Sequence, residues 1–160
     1  ACLPPSLPQA RALAAEAIPR YPCEVCARAV LGPQDDRFTS AGIATFFESA
    51  YTVQPQSDRM GARLKGERIE HRRGHDIVSD GIATGSVQVP GDGQPIVLLV
   101  DRQSTGGYTK LGTGCSFDIG RVAQLRPGQR LRFEQVSIAQ AHGLLRDSCR
   151  ELAALLPASQ

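Results

Sequence analysis

Short runs of alternating apolar and polar residues, cut by glycine and proline, dominate the middle of the chain. Glu24 to Leu31 sets Val25, Ala27, Ala29 and Leu31 on one face, the two-residue period of a half-buried strand, and Gly32-Pro33 ends it. Tyr51 to Val53 restarts an extended segment, and Val78, Val87 and Val89 mark further short strands divided by Gly81, Gly85, Gly91 and Gly93. Ile96 to Val100 is an unbroken apolar run rich in β-branched residues, the pattern of a strand covered on both faces. Arg130 to Val136 alternates again, with Leu131, Phe133 and Gln135 on one side and Arg130, Arg132 and Glu134 on the other.

Helical spacing appears in fewer places. Phe38 followed by Thr39 and Ser40 predicts a helix start, with Ile43, Phe46 and Phe47 on one core-facing side and an end near Ala50. Phe117 to Leu125 predicts a short helix, turned back by Pro127-Gly128. Ser137 to Leu156 has the strongest pattern: Ser137 and Gln140 have capping-box spacing, and Ile138, Ala141, Leu145, Cys149, Leu152 and Leu156 recur at helical intervals. Residues 1–22 read as a linker with a helical turn or two around Gln9 to Ala17, stopped by Pro19 and Pro22. The expected organisation is a linker (1–22), a β-barrel domain (23–137) and a C-terminal helix and tail (138–160). The fold class is mainly β, a barrel with two or three helices.

Composition narrows the function. At 160 residues, 41% hydrophobic and 21% charged, the chain suits one domain with a real core and excludes a second large one. The net charge of +2 comes from scattered groups, so nucleic acid is not an expected partner. Arg72 and Arg73 with His71 and His75 make only a short basic patch, read as a solvated loop. No apolar run reaches membrane-spanning length and the start lacks the pattern of a secretory signal, so a cytoplasmic location is expected, with no membrane partner. Five cysteines fit no even disulfide framework. Cys23 and Cys26 form a C-x-x-C without a second pair at zinc-ribbon spacing, and no metal site is expected. Cys115 reads as a small buried thiol.

The chemistry gathers between Val89 and Thr113, where polar, glycine-rich ends flank the apolar run and present Asp92, Gln94, Asp101, Arg102, Gln103, Thr105, Tyr108 and Lys110. Lys110 is one of only two lysines among eighteen basic residues, which suggests that a compact ammonium is wanted there. Gln94, Gln103 and Thr105 are uncharged groups able to read an amide or ureido unit, and buried structural amides look the same. Gly106 and Gly107 permit close backbone approach to a ligand or a tight hairpin, while Asp92-Gly93 reads as a turn. Arg59 and Asp58 suit a carboxyl oxygen and an amide nitrogen respectively; equally, they bridge to each other or tie down the Gly61 turn.

Four segments in order carry a family resemblance: Gly32-Pro33-Gln34-Asp35; Gln56-Ser57-Asp58-Arg59-Met60-Gly61-Ala62-Arg63-Leu64 with Gly66; Ser79-Asp80-Gly81 with the Val89–Thr113 run; and Ala123-Gln124-Leu125-Arg126-Pro127-Gly128, followed by Arg132-Phe133 and Val136-Ser137. Together they resemble the C-terminal half of the biotin-dependent carboxyltransferase family related to urea amidolyase, which includes allophanate hydrolase subunit 2 and the C subunit of 5-oxoprolinase. The resemblance implies a cyclophilin-like barrel. It implies either carboxyl transfer to a urea-like nitrogen or ATP-driven opening of 5-oxoproline, with Lys110, Tyr108, Arg59 and Asp58 as catalytic candidates. Gln94, Asp101, Gln103, Thr105, Gly106 and Gly107 are the substrate-binding candidates. It further implies a small amide substrate, and as a protein partner the family's N-terminal half or a companion subunit. The resemblance implies no covalently held cofactor, carboxybiotin delivered by a separate carrier in the carboxyl-transfer case, and ATP acting only through a partner subunit. Some relatives suggest a different class of function, a regulatory module that binds a sensor-kinase inhibitor. The chain departs from the family pattern at Ala62, at Thr109, where proline is usual, and at Gly114-Cys115, where bulky aliphatic residues are usual; a glycine there is expected to weaken its strand.

Overall fold

The computed structural model describes residues 20–154, preceded by Ala15 and Ile18. The linker expected over residues 1–22, with its helical turns around Gln9 to Ala17, falls almost entirely outside the described residues, as does Leu156. Nine strands and three helices follow: β1 (Glu24–Leu31), α1 (Ser40–Glu48), β2 (Ala50–Val53), β3 (Gly61–Lys65), β4 (Asp76–Gly81), β5 (Ser86–Gln88), β6 (Ile96–Leu98), β7 (Thr105–Tyr108), β8 (Lys110–Gly114), α2 (Ser116–Ala123), β9 (Arg130–Gln135) and α3 (Ile138–Ala154). Seven of the strands close into a barrel in the order β1-β8-β5-β6-β3-β2-β9, and β4 and β7 pair separately as a two-stranded arm. The mainly β barrel with helices expected from the pattern is therefore the observed architecture.

The register explains the closure. Along β3, Ala62 and Leu64 face inward while Arg63 and Lys65 face out. Ala62 lies opposite Val97 of β6, and Val97 opposite Val87 of β5, so one inward row crosses three strands and is buried throughout. On the far side of the barrel β9 runs parallel to β1, with Val25 beside Leu131 and Ala27 beside Phe133, all of them buried.

Helix α1 starts as expected, with the Thr39 hydroxyl accepting from the Gly42 N–H, and its Phe46 stacks on Phe133 with ring centroids 4.3 Å apart. Ile43 and Phe47 pack against the same core. Helix α2 is fixed by Asp118, 1% exposed: its Oδ2 accepts from the Arg28 backbone N–H and Nε, and its Oδ1 accepts from Nη2 at 2.6 Å. Gly114 leaves room for α2, since a Cβ there would lie 2.9 Å from Ile119 Cδ1. The glycine expected to weaken β8 is thus where the helix packs down.

Three expectations need correction. Strand β6 stops at Leu98, because the chain turns at Val100, which is 65% exposed, and the outer sides of Ile96 and Leu98 are only half-covered. Gln135 is exposed and Val136 takes the inward place expected of it. Helix α3 has the predicted capping box, with Ser137 and Gln140 bonding reciprocally, but none of its residues is buried. Ile138 and Leu152, 62% and 63% exposed, carry their stripe into solvent because α3 touches the barrel along only a small part of its length.

Candidate functional site

The outer face of β5, β6 and β3 forms the floor of an open groove of about 820 Å³. Gln88 lies opposite Ile96, and Ile96 opposite Arg63, so an amide, an aliphatic side chain and a guanidinium stand in one row across three strands. With strands about 4.8 Å apart, the ends of that row are about 10 Å from each other at the backbone. Leu98 and Gly61, the next outward pair, extend the floor. The half-covered side of β6 is this floor.

Strand β7 forms one wall through Gly106, Gly107 and Tyr108, continued by Arg102 and Gln103. Gly106 lets Ile82 and Gln88 pack close to the wall, since a Cβ would lie 2.7 Å from Ile82 Cδ1 and 2.8 Å from Gln88 Nε2 and those side-chain ends would have to move aside. Gln88 is 6% exposed, and its Nε2 is buried without a hydrogen-bond partner. An unpaired buried donor costs about 1–3 kcal/mol, which a turn of the Gln88 amide toward a ligand acceptor in the groove would recover.

Of the residues singled out from sequence, Asp58, Gln94, Gln103, Gly106, Gly107 and Tyr108 line the groove. Asp58 ties down the Gly61 turn, accepting at Oδ1 from the N–H groups of Met60 and Gly61. Gln94 Oε1 accepts from the Gly66 N–H at 2.8 Å. Arg59, Asp101, Thr105 and Lys110 do not line it. Arg59 pairs with Asp101 at 2.7 Å rather than with its neighbour Asp58. Thr105 is at the exposed end of β7, opposite Gly81. Sequence reasoning passed over Gln88, Arg63, Lys65, Ile96 and Leu98 as site residues. Their signal is the outward phase of β3, β5 and β6, which becomes a surface only once the register is known.

Lys110 is 2% exposed and belongs to a different arrangement. Its Nζ donates to Asp80 Oδ2 at 2.6 Å and to the Gly81 carbonyl at 2.9 Å. Gln34 spans the same pair, its Oε1 accepting from the Lys110 N–H and its Nε2 donating to Asp80 Oδ2. The Lys110 ammonium, the Gly81 N–H and Gln34 hold the Asp80 carboxyl below the usual aspartate range. Because β4 pairs with β7, this cluster anchors the arm whose β7 strand walls the groove.

Behind that wall, His71 Nε2 lies 3.0 Å from the Val89 carbonyl and 3.2 Å from Thr109 Oγ1, and its ring packs on Phe38. Burial pushes the His71 imidazole below its ordinary value, and His75 and Arg68 add to the effect. Thr109 is fully buried and supplies the hydroxyl of this contact. Cys23 and Cys26 are exposed free thiols, and Cys115 is a buried one whose pKa burial raises. Among the described residues no three His, Cys, Asp or Glu side chains come together as metal ligands, and no helix is long and apolar enough to cross a membrane.

A seven-stranded barrel with an amide-bearing groove on its outer face defines the class of domain. Residues 3–135 match the carboxyltransferase domain, subdomain A and B, and the chain belongs to that family. It is 43% identical over 101 residues to the C subunit of 5-oxoprolinase from Haemophilus influenzae, a match that takes in 63% of this chain and 33% of the relative. It is 39% identical over 114 residues to the C subunit of 5-oxoprolinase from Escherichia coli, over 71% of this chain and 37% of that one. The chain thus spans about a third of the length of these curated relatives. The crystal structure of the K. lactis urea amidolyase superposes with a TM-score of 0.77 at 23% identity, over 84% of this chain and 9% of that one, a likeness of fold.

Proposed function

We propose that the chain is a component of an amide-processing enzyme of the 5-oxoprolinase type, equivalent to part of its C subunit, and that the groove holds the amide of its substrate. The observation that carries this reading is the unpartnered Gln88 amide beside the flat Ile96–Leu98 floor, a place where a planar ring amide finds both an amide partner and an apolar surface. The two relatives that share about two-fifths of their matched residues with this chain bear the 5-oxoprolinase name, which favours a cyclic amide over urea.

The same donor set fits the ureido ring of biotin, which Gln88 and Tyr108 would hold. Delivered by a carrier, that group would supply an activated carboxyl. In either chemistry this chain's residues bind and orient a weakly reactive amide, and fixed donors stabilise charge as it develops on the ring oxygen. Companion subunits supply the remaining parts, including ATP chemistry.

A second reading, a regulatory module that binds a protein, is favoured by one feature, the solvent-exposed apolar stripe of α3. The two readings are separated by capturing companions from the native lysate on this chain and assaying the complex. ATP hydrolysis dependent on 5-oxoproline, with no biotinylated protein present, is the expected result. Turnover only with urea and a biotinylated carrier would overturn it, and a stable complex without turnover of any amide would favour the regulatory module.

A further inference from the structure

The groove is chemically unequal along its length. Its two carboxylates are both committed to backbone: Asp58 accepts from Met60 and Gly61, and Asp92 accepts from the Gln94 N–H at 3.0 Å. One of its cations is committed as well, Arg102 donating to the carbonyls of Ile82 and Val100. Arg63 and Lys65 remain. Both project outward from β3 into the groove, and neither side chain makes a hydrogen bond or ion pair within the described residues.

The free cations and the unpartnered amide also stand in a fixed order. Gln88, Ile96 and Arg63 share one cross-strand row, so a ligand lying on Ile96 has a side-chain amide on one side and a guanidinium on the other. Arg63 can fork onto a carboxylate with two parallel N–H···O bonds, and Lys65, two residues along the same face, adds charge without fixed geometry.

We infer that Arg63, assisted by Lys65, is a specificity-determining residue that reads a carboxylate attached to the ring of a cyclic amide whose carbonyl is read by Gln88. This rests on the groove being the amide site. The ligand class is a lactam bearing a ring carboxylate, as in 5-oxoproline; urea and the amide-linked biotin ring lack that group and leave Arg63 unused. Arg63 is exposed and stays hydrated when no carboxylate is present, so the discrimination comes from the charge-assisted pair itself and is modest.

The test compares 5-oxoproline, 2-pyrrolidinone, urea and biotin amide as ligands of the full chain, by calorimetry and by the NMR shift of the Gln88 side-chain amide. 5-Oxoproline is expected to bind about tenfold more tightly than 2-pyrrolidinone, which has the same ring without the carboxylate. Arg63→Gln is expected to erase that difference and leave 2-pyrrolidinone binding unchanged, with Lys65→Gln causing a smaller loss. Raising the salt concentration should weaken 5-oxoproline alone, a check that needs no variant. Equal binding of the two lactams, each shifting the Gln88 amide, would overturn the carboxylate assignment and leave the amide site standing. Preferential binding of urea or biotin amide would overturn the assignment too. No shift of Gln88 with any ligand would overturn the amide site itself.

Discussion

Lys110 and Asp80 form a 2.6 Å ion pair between a buried strand of the barrel and the exposed edge of the β4–β7 arm. The ammonium does not reach the groove, so its expected effect on function runs through the arm. Lys110→Met and Asp80→Asn should each weaken ligand binding on the order of tenfold, and the double variant should be no worse than the worse single one, the non-additivity of two parts of one contact. Amide hydrogen exchange checks the cause: both variants should speed exchange at Thr105 to Tyr108. A full loss with Lys110→Met, beside normal binding and normal exchange with Asp80→Asn, would assign the ammonium directly to the ligand.

Asp118 and Arg28 join α2 to β1 through a buried carboxylate. Removing one partner strands the other charge, so Asp118→Ala should destabilise by about 3 kcal/mol. For a domain of this size that lowers Tm by roughly 10 °C in a calorimetric scan.

His71 gives the fold a pH dependence of known sign. Its folded pKa is depressed by burial, so the unfolded chain takes up the proton first as acid is added. Its contribution is whole above the ordinary histidine value near 6.5 and is lost as pH falls through the folded value. Denaturant midpoints measured from pH 7.5 to 5.5 should therefore fall for the native chain, and less steeply for His71→Gln.

Gly106→Ala sets a methyl group against Ile82 and Gln88. Both contacts are with the ends of flexible side chains that can move aside, so the stability loss should be small, below about 1 kcal/mol. Displacement of Gln88 should weaken lactam binding beyond what the stability loss explains, and Gly107→Ala, whose Cβ meets nothing nearer than 3.4 Å, is the control.

Sequence pattern was most informative where one strand or helix decides its own burial. The alternation of Val25, Ala27 and Ala29 and the helical spacing of Ile43, Phe46 and Phe47 both correspond to real core faces. It failed where burial depends on what lies opposite. The apolar run from Ile96 has the pattern of a strand covered twice, but one of its faces is a groove floor, and the stripe of α3 has none of its described residues buried. The site was legible in part for the same reason. Gln94, Gln103 and Tyr108 are close in sequence and stand out together, whereas the row of Gln88, Ile96 and Arg63 and the pairing of Arg59 with Asp101 join residues far apart in the chain.

The parallel pairing of β1 with β9 also has a consequence for protein engineering. Glu24 lies beside Arg130 and Ala29 beside Gln135, so the polypeptide enters the barrel at one mouth and leaves it at the other. Two modules fused ahead of Glu24 and behind Gln135 would therefore emerge at opposite poles. A circular permutation joining these points would need a connector that travels the length of the strand, about 20 Å at 3.3 Å per residue.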